Sequence, residues 1–272
     1  MGLPFGGATV LAGVLLILFC LLFYVFWALW QRRGRLGQIV LRPLHPAETL
    51  RAALHRAAEM GEEVHVSPGV GSLHQAGSAG ETLAGLQSVQ GVACEALPLG
   101  VPVRVTTNDA LVSLVAEGSL ERALESAGRP AGLEASSDFI AQDNPVAYAA
   151  GALSTLQRPS VQGNVLIGAF GEEMLLLGEV GAEETTFQIA GAARPAAASL
   201  LPLMTQDFLL GEEIYALGAY LNPRPARTVS LLAQDGVRWA LILLIVIGVV
   251  LATFGVLDST LGPFFQMSAP LP

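Results

Sequence analysis

Glycines and small polar side chains follow several of the strands that this sequence predicts, at the points where those strands end. Ligands of open α/β sheets bind beyond the carboxyl ends of the strands, where glycine lets a phosphate or a nucleotide approach backbone N–H groups. Strand-to-helix turns also require glycine, asparagine and aspartate for capping and for positive φ, so turn formation alone explains the same residues. The candidate ligand-binding residues are Gly69, Gly71, Ser72, Asn108, Asp109, Asp143, Gly168 and Gly171.

The turn that begins at Gly69 falls short of a dinucleotide-binding fingerprint. Its second glycine is Gly71, but His74 stands where the third glycine belongs. The small-residue run around Ser78 invites comparison with a nucleophile elbow, which also needs an acid and a histidine later in the chain. No histidine follows His74 in the sequence. We therefore expect Ser78 to cap a helix, with Glu81 completing a capping box.

No spacing typical of a metal site occurs among the histidines. They lie nine or ten residues apart on different predicted elements, whereas zinc ligands come in pairs about two to five residues apart. Three acidic residues near strand ends remain an alternative, because carboxylates there could hold Mg²⁺ beside a phosphate. These are Asp109, Asp143 and Glu172. Acidic residues are common at helix starts for other reasons, and we predict no metal and no cofactor.

The absence of lysine excludes several enzyme classes. All 14 basic residues are arginine, so the P-loop lysine, a Schiff-base lysine and the phosphate-binding lysine of protein kinases are all missing. An enzyme built on this chain would have to use carboxylates alone. We predict no catalytic residues and expect that the protein is not an enzyme.

Strands and helices alternate through the middle of the chain. This alternation predicts an α/β fold: a Rossmann-like, mostly parallel sheet with helices on both faces, plus two transmembrane helices. The predicted strands are 63–67, 101–106, 137–141, 164–167 and 185–189, and the predicted helices are 46–60, 78–96, 109–115, 119–126, 145–157, one starting at 172, 196–204 and 211–221.

Two apolar segments long enough to cross a bilayer enclose this domain. Residues 10–30 carry no charge and, at about 1.5 Å per residue, span about 30 Å, the thickness of the hydrocarbon core. Residues 239–256 form the second segment. Three arginines follow the first segment within five residues, and Arg238 precedes the second. Because basic residues border membrane helices on the cytoplasmic side, the middle domain is predicted to be cytoplasmic.

The predicted organisation has five parts: an external N-terminus at 1–9, a transmembrane helix at 10–30, a cytoplasmic α/β domain at 36–236, a transmembrane helix at 239–256 and an external tail at 257–272. We expect the plasma (inner) membrane as the location and the lipid bilayer as a partner. The domain holds 10 arginines against 22 acidic residues, a net charge of −12. A nucleic-acid partner would need a basic surface, so we expect none.

Several short runs carry a family resemblance. They are 147–151 (AYAAG), 188–191 (QIAG) and 211–216 (GEEIYA), extended by the turn at 67–71 and by 233–236 (AQDG) before the second apolar segment. With them, the chain resembles a bacterial family of uncharacterised membrane proteins, a domain of unknown function with N- and C-terminal transmembrane helices around a Rossmann-like domain. The resemblance implies no activity and no site residues.

These expectations lead to two hypotheses about function. The first is a non-enzymatic integral membrane protein that presents its acidic domain for assembly or scaffolding, as a homo-oligomer or with a membrane-protein partner. Its helical surfaces are rich in alanine and glycine, which pack closely against copies of themselves. The second is a membrane-tethered sensing domain that binds a nucleotide or another small molecule at the strand-end rim.

Overall fold

The computed structural model describes residues 21, 24–25, 43–129, 135–223 and 225–253. The chain falls into two compact units, one of Leu41–Arg224 and one of Met1–Val40 with Pro225–Pro272. The predicted external segments 1–9 and 257–272 lie outside the described residues, as does the predicted membrane segment 10–30 except for three residues.

The first unit alternates helices and strands around one sheet. The strand order is β3-β2-β1-β4-β5-β6, and all neighbouring strands are parallel. This is the strand order of doubly wound dinucleotide-binding sheets, so the predicted α/β fold with a parallel sheet is confirmed. The elements are α1 His45–Met60, β1 Glu63–Gly69, α2 Ala79–Leu99, β2 Val103–Thr107, α3 Ala110–Ala127, β3 Ala135–Phe139, α4 Pro145–Leu156, β4 Val161–Ala169, α5 Glu173–Glu184, β5 Phe187–Ala192, α6 Pro195–Ala198, α7 Leu201–Met204, β6 Asp207–Leu210 and α8 Glu213–Leu221.

Helices cover both faces of the sheet. Side chains of α1, α2, α3 and α8 form one buried apolar cluster, and side chains of α4 to α7 form the other. Strand β4 contributes to both, because Val165 and Ile167 belong to the first cluster and Leu166 to the second. A strand that is buried on both faces has apolar residues at successive positions rather than at alternate positions. This explains the apolar run at the centre of β4.

Glycines let α2 lie unusually close to its neighbours. A Cβ on Gly85 would lie 2.6 Å from the carbonyl oxygen of Ile167 in β4, and a Cβ on Gly91 would lie 3.0 Å from the Leu221 side chain of α8. These two glycines of the alanine- and glycine-rich α2 therefore allow close packing inside the domain. They do not form part of its outer surface.

The second unit contains α9, Pro225–Thr253. Residues 239–253 of the predicted second membrane segment lie in this helix, and 254–256 lie outside the described residues. Within the part of the chain that the structure describes, no helix combines the length and the apolar content needed to cross a bilayer.

Several predicted elements differ from the structure. The helices predicted at 109–115 and 119–126 are one helix, α3, and the Ser119 hydroxyl donates to the Val115 carbonyl at 2.8 Å inside it. The helix predicted at 196–204 is two short helices, α6 and α7, because Pro202 lacks the N–H that a continuous helix would need. The short edge strand β6 was not predicted, since four residues give too little alternation to recognise.

The predicted capping box at the start of α2 is wrong. Ser78 makes no side-chain cap; its hydroxyl donates to the Ser72 carbonyl at 3.1 Å and accepts from the Ser72 N–H at 3.3 Å. Glu81 does not reach back either, because its Oε2 lies 2.9 Å from Arg194 Nε in an ion pair. Ser78 instead ties the turn after β1 to the start of α2.

Candidate functional site

The place where doubly wound sheets hold their ligands lies between β1 and β4, the strands from which the chain winds in opposite directions. Gly69 ends β1 with φ +91°, and a Cβ on it would lie 2.2 Å from the Ala169 carbonyl oxygen. A Cβ on Gly168 would lie 2.1 Å from the Pro68 carbonyl oxygen. The Val70 N–H donates to the Ala169 carbonyl at 2.9 Å. The carboxyl ends of the two strands thus contact each other directly, and we call this contact the β1–β4 junction.

Gly71 completes the β1–β4 junction. A Cβ on it would lie 2.4 Å from the Ala169 Cβ and 2.4 Å from the Thr82 Oγ1 of α2. In dinucleotide-binding sheets the corresponding second glycine lets the backbone approach the pyrophosphate. Here the space beside Gly71 is occupied by atoms of Ala169 and Thr82. The glycines at this junction are therefore required by packing within the domain.

The polar candidates after β2 and β3 contact backbone groups. Asn108 is buried, and its Nδ2 donates to the carbonyls of Ile140, at 3.4 Å, and Ala141, which ties the end of β2 to the end of β3. Asp109 caps α3 by accepting from the Val112 N–H at 2.9 Å. Asp143 is exposed beyond β3, with φ +55°. These contacts are those of turn and cap residues.

The three carboxylates considered for Mg²⁺ do not form a ligand set. Among the described residues, no three His, Cys, Asp or Glu side chains lie close enough together to hold a metal ion. Asp109 and Asp143 follow β2 and β3, whereas Glu172 follows β4, and β1 separates β4 from the other two strands.

Gly171, the last predicted ligand residue, donates its N–H to Glu173 Oε1 at 2.6 Å.

Ser72 and His74 make a contact that resembles part of a catalytic triad. Ser72 is buried, its Oγ bonds to His74 Nδ1, and that same nitrogen lies 3.9 Å from Asp109 Oδ2. In a triad the acid holds the second ring nitrogen, which leaves the first free to accept the serine proton. Here the ring nitrogen nearest Asp109 is also the one nearest Ser72 Oγ, and Nε2 lies farther from that oxygen, at 3.4 Å, so the arrangement differs from that of a triad.

A line of hydrogen-bonded polar side chains crosses the sheet on its α4–α7 side, and the sequence reasoning missed it. At its centre, His65 Nδ1 lies 2.8 Å from Asn164 Oδ1, and His65 Nε2 lies 2.8 Å from Thr106 Oγ1. The Tyr148 phenol oxygen of α4 lies 2.9 Å from Thr106 Oγ1 and 2.5 Å from Ser67 Oγ. All of these side chains are buried. We call this line, with Gln188 at its far end, the buried polar row.

Gln188 sets the direction of the hydrogen bonds along the row. Its Nε2 donates to the carbonyls of Gly178, at 2.8 Å, and Met204, at 3.1 Å, so its Oε1 accepts from Asn164 Nδ2 at 2.6 Å. Asn164 Oδ1 must then accept from His65, because an amide oxygen has no proton to donate. The proton of the neutral His65 ring is therefore on Nδ1, and Nε2 accepts.

A family model described as a domain of unknown function (DUF6754) matches residues 5–261. The chain belongs to the DUF6754 family. The comparisons with curated proteins and with solved structures gave no match. The predicted resemblance to a family defined by a domain of unknown function is confirmed, and the membrane and bacterial character of that family stays a prediction for this chain.

In this member of the DUF6754 family the buried polar row is uncharged. Burial lowers the pKa of His65 to about 4, against smaller opposing effects of the Asn164 hydrogen bond and the Asp138 charge. Burial also raises the pKa of Tyr148 to about 12. Neither group changes its protonation near pH 7, so the row supplies hydrogen bonds rather than acid–base catalysis.

The sequence does contain a signal for this row. His65, Asn164 and Gln188 each lie beside apolar residues in a different strand, and Thr106 follows Val105 in a fourth strand. Buried polar side chains are nearly always hydrogen-bonded, so each of them needs a partner. The partners follow only from the strand order and register, which pair His65 with Asn164 and Asn164 with Gln188.

Tyr148→Phe is expected to lower the free energy of unfolding by about 1 to 3 kcal/mol, because the substitution leaves buried hydroxyls of Ser67 and Thr106 without this partner. Tyr215→Phe is the matched control, since the Tyr215 phenol is 39% exposed and makes no hydrogen bond to a described residue. Hydrogen exchange of the β1 and β2 amides in the full-length chain measures both variants. Equal losses of protection would contradict the role given to the row.

Proposed function

We propose that this chain is a non-enzymatic integral membrane protein that presents an acidic cytoplasmic α/β domain for assembly or scaffolding. Its partners are the lipid bilayer and either further copies of the chain or another membrane protein. The proposal assigns no reaction to the domain.

The observation that carries the proposal is the closed β1–β4 junction. At the place where related sheets bind their ligands, the ends of β1 and β4 and the first turn of α2 leave no room for a Cβ on Gly69, Gly71 or Gly168. The polar side chains nearest the middle of the sheet are buried and hydrogen-bonded to one another. A domain with this interior offers its outer surface to partners.

Membrane attachment is supported by the apolar segments 10–30 and 239–256 and by the exposure of α9. Trp239, Leu243 and Ile245 are 70%, 62% and 61% exposed. Large contiguous apolar surfaces mark sites of contact with lipid or with another protein. The arginines beside only one end of each segment favour a cytoplasmic domain with both termini outside.

Assembly is tested by carboxylate-directed crosslinking in native membranes, because the chain has no lysine for amine-reactive reagents. We expect adducts that contain two or more copies of the chain, or the chain with another membrane protein. Light scattering of the purified chain in detergent then gives the number of copies in each particle. Monomer by light scattering together with no adduct in membranes would overturn the proposal.

A sensing domain that binds a nucleotide or another small molecule at the rim is the alternative. The buried Thr107 hydroxyl, at the end of β2, has no hydrogen-bond partner among the described residues, and a ligand could supply one. A rise in melting temperature with a nucleotide and Mg²⁺ that Ser72→Ala abolishes would favour this alternative. Gly71 is unsuitable for that test because its substitution disturbs the β1–β4 junction.

A further inference from the structure

Strand β3 forms one edge of the sheet, and among the described residues no strand pairs with its outer side. The Ile140 N–H donates to the Thr107 carbonyl at 2.8 Å, and Thr107 is in register with Phe139. In such a parallel ladder, the backbone groups of successive residues point alternately toward the neighbouring strand and away from it. The N–H and C=O groups of Ala135, Ser137 and Phe139 therefore point away from β2, where a further strand could bind them.

The other edge strand, β6, is protected against such pairing. It has only four residues, and its Leu210 N–H donates to Glu213 Oε2 at 3.3 Å. Short length and charged side chains are means by which proteins keep edge strands from associating. Strand β3 has a regular register without a bulge and contains no proline. Its outward N–H groups bind no acceptor among the described residues, so the two edges differ.

The side chains of β3 offer an apolar group at one end and a recess for it at the other. Phe139, at the carboxyl end, is 47% exposed. A groove of about 150 Å³ lies between α3 and the start of β3. Ligand sites have volumes of about 300 to 1,000 Å³, so the groove suits one side chain better than a small molecule. Its lining includes Leu120, Leu124, Ala135 and the exposed Glu117 and Glu121.

Two copies of β3 fit each other as an antiparallel pair about a twofold axis. With Ser137 opposite its counterpart, Ala135 lies opposite Phe139 of the second copy, and the outward backbone groups of both strands meet. The Ser137 hydroxyl lies 3.2 Å from Ser113 Oγ of α3. Ala135 and Phe139 share the face of Ser137, because side chains alternate along a strand. Each Phe139 ring is thus placed at the groove of the other copy.

The charges on the other face of β3 also fit this pairing. Arg104 of β2 donates to Ser136 Oγ at 3.1 Å and lies 3.5 Å from Asp138 Oδ2. Its remaining acidic contact is Glu63 of β1, at 3.4 Å. The pairing sets Asp138 of the second copy opposite Ser136, on the side to which this guanidinium extends. No two like charges lie opposite each other along the two strands, and each aspartate comes near an arginine of the other copy.

We propose that two copies of this chain associate through their β3 edges, which pair antiparallel, with Phe139 of each copy in the groove between α3 and β3 of the other. This inference rests on the proposed assembly role and identifies the partner as a second copy. Such an interface is isologous, because the same surface serves both copies. Attachment of both copies to one bilayer would raise their effective concentration, which favours a contact made by so short a strand.

The test is oxidation of a Ser137→Cys chain with copper phenanthroline in native membranes. Opposed residues in a hydrogen-bonded antiparallel pair have Cα atoms about 5.5 Å apart, within the range of a disulfide. We expect a disulfide-linked dimer on a non-reducing gel. The matched control is Ser136→Cys, which the pairing sets opposite residue 138 rather than its own counterpart, so it should give at least about tenfold less dimer. The unmodified chain, with Cys20 and Cys94, gives the background.

Phe139→Asp, introduced into the Ser137→Cys chain, should lower the yield of dimer at least about tenfold, the effect expected from losing an aromatic anchor at an interface. Leu210→Asp is its control, because Leu210 is similarly exposed, at 44%, but lies on the β6 edge. It should leave the yield unchanged.

Hydrogen exchange of the unmodified chain in the same membranes gives a second measurement that needs no variant. The Ser137 and Phe139 amides should exchange slowly, because the second copy supplies their acceptors. Fast exchange of these amides would overturn the interface even if Ser137→Cys did not fold.

The absence of dimer from a folded Ser137→Cys chain would overturn the proposed pairing. Equal yields from Ser136→Cys, or an undiminished yield with Phe139→Asp, would do the same. The assembly role can be judged separately, because carboxylate-directed adducts of the unmodified chain would support it even where the β3 edge had failed these tests.

Discussion

Gly69→Ala is expected to destabilise the α/β domain by about 2 to 6 kcal/mol. A φ of +91° is unfavourable for alanine, and the new methyl would lie 2.2 Å from the Ala169 carbonyl oxygen. Backbone strain of this kind costs about 1 to 3 kcal/mol, and overpacking costs about as much again. Relief would require β1 and β4 to separate, which would also pull His65 away from Asn164 in the buried polar row.

Gly61→Ala separates the cost of backbone strain from the cost of overpacking. Gly61 has φ +72° and no heavy atom within 4 Å of a Cβ, so its substitution should cost only the backbone term of about 1 to 2 kcal/mol. Hydrogen exchange of the β1 and β4 amides in the full-length chain measures the loss for each variant. If Gly69→Ala cost no more than Gly61→Ala, the junction would not be closed as described.

Acidification from pH 6.5 to about 4 is expected to remove about 3 kcal/mol of stability through His65 alone. The unfolded chain takes up a proton at the ordinary pKa of 6.5, whereas burial lowers the pKa in the folded chain to about 4. The contribution is therefore complete above pH 6.5 and is lost as the pH falls through this range. Protonation would also turn Nε2 into a donor facing the Thr106 hydroxyl, which now donates to it.

The slope of unfolding free energy against pH tests this prediction. His65→Gln removes the titrating ring and should flatten the slope between pH 6.5 and 4, whatever its effect at neutral pH. His55→Gln, at an exposed position of α1, should leave the slope unchanged. Nitrogen NMR of the unmodified chain should show the His65 ring neutral, with its proton on Nδ1, down to about pH 5. Identical slopes for the two variants would contradict the assignment.

Local patterns predicted the parts of this fold that depend on neighbouring residues. The Asn144 cap and Pro145 start of α4 were predicted, and Asn144 Oδ1 accepts the Ala147 N–H at 3.0 Å. Ser78 and Glu81 matched a capping box equally well in sequence, yet a loop carbonyl and Arg194 compete for their side chains. Local preference decides the outcome only where no tertiary partner is available.

The candidate site depended on information that the sequence does not contain. Gly69 and Gly71 are as suitable for approach by a phosphate as for approach by protein, and only the irregular register between β1 and β4 brings Ala169 against them. His65 and Asn164 are 99 residues apart in the chain. Their pairing follows from the strand order, which alternation of strands and helices leaves open.

The placement of β1 and β4 side by side has a consequence for biosynthesis. The N-terminal half of the sheet, β1 to β3, leaves the ribosome before β4 exists, and during that interval β1 has a neighbour on only one side. Its histidine cannot reach the asparagine of β4 until residue 164 has emerged. Parallel pairing over such a long sequence separation forms slowly, so the nascent half-sheet is the stage at which a chaperone would be needed.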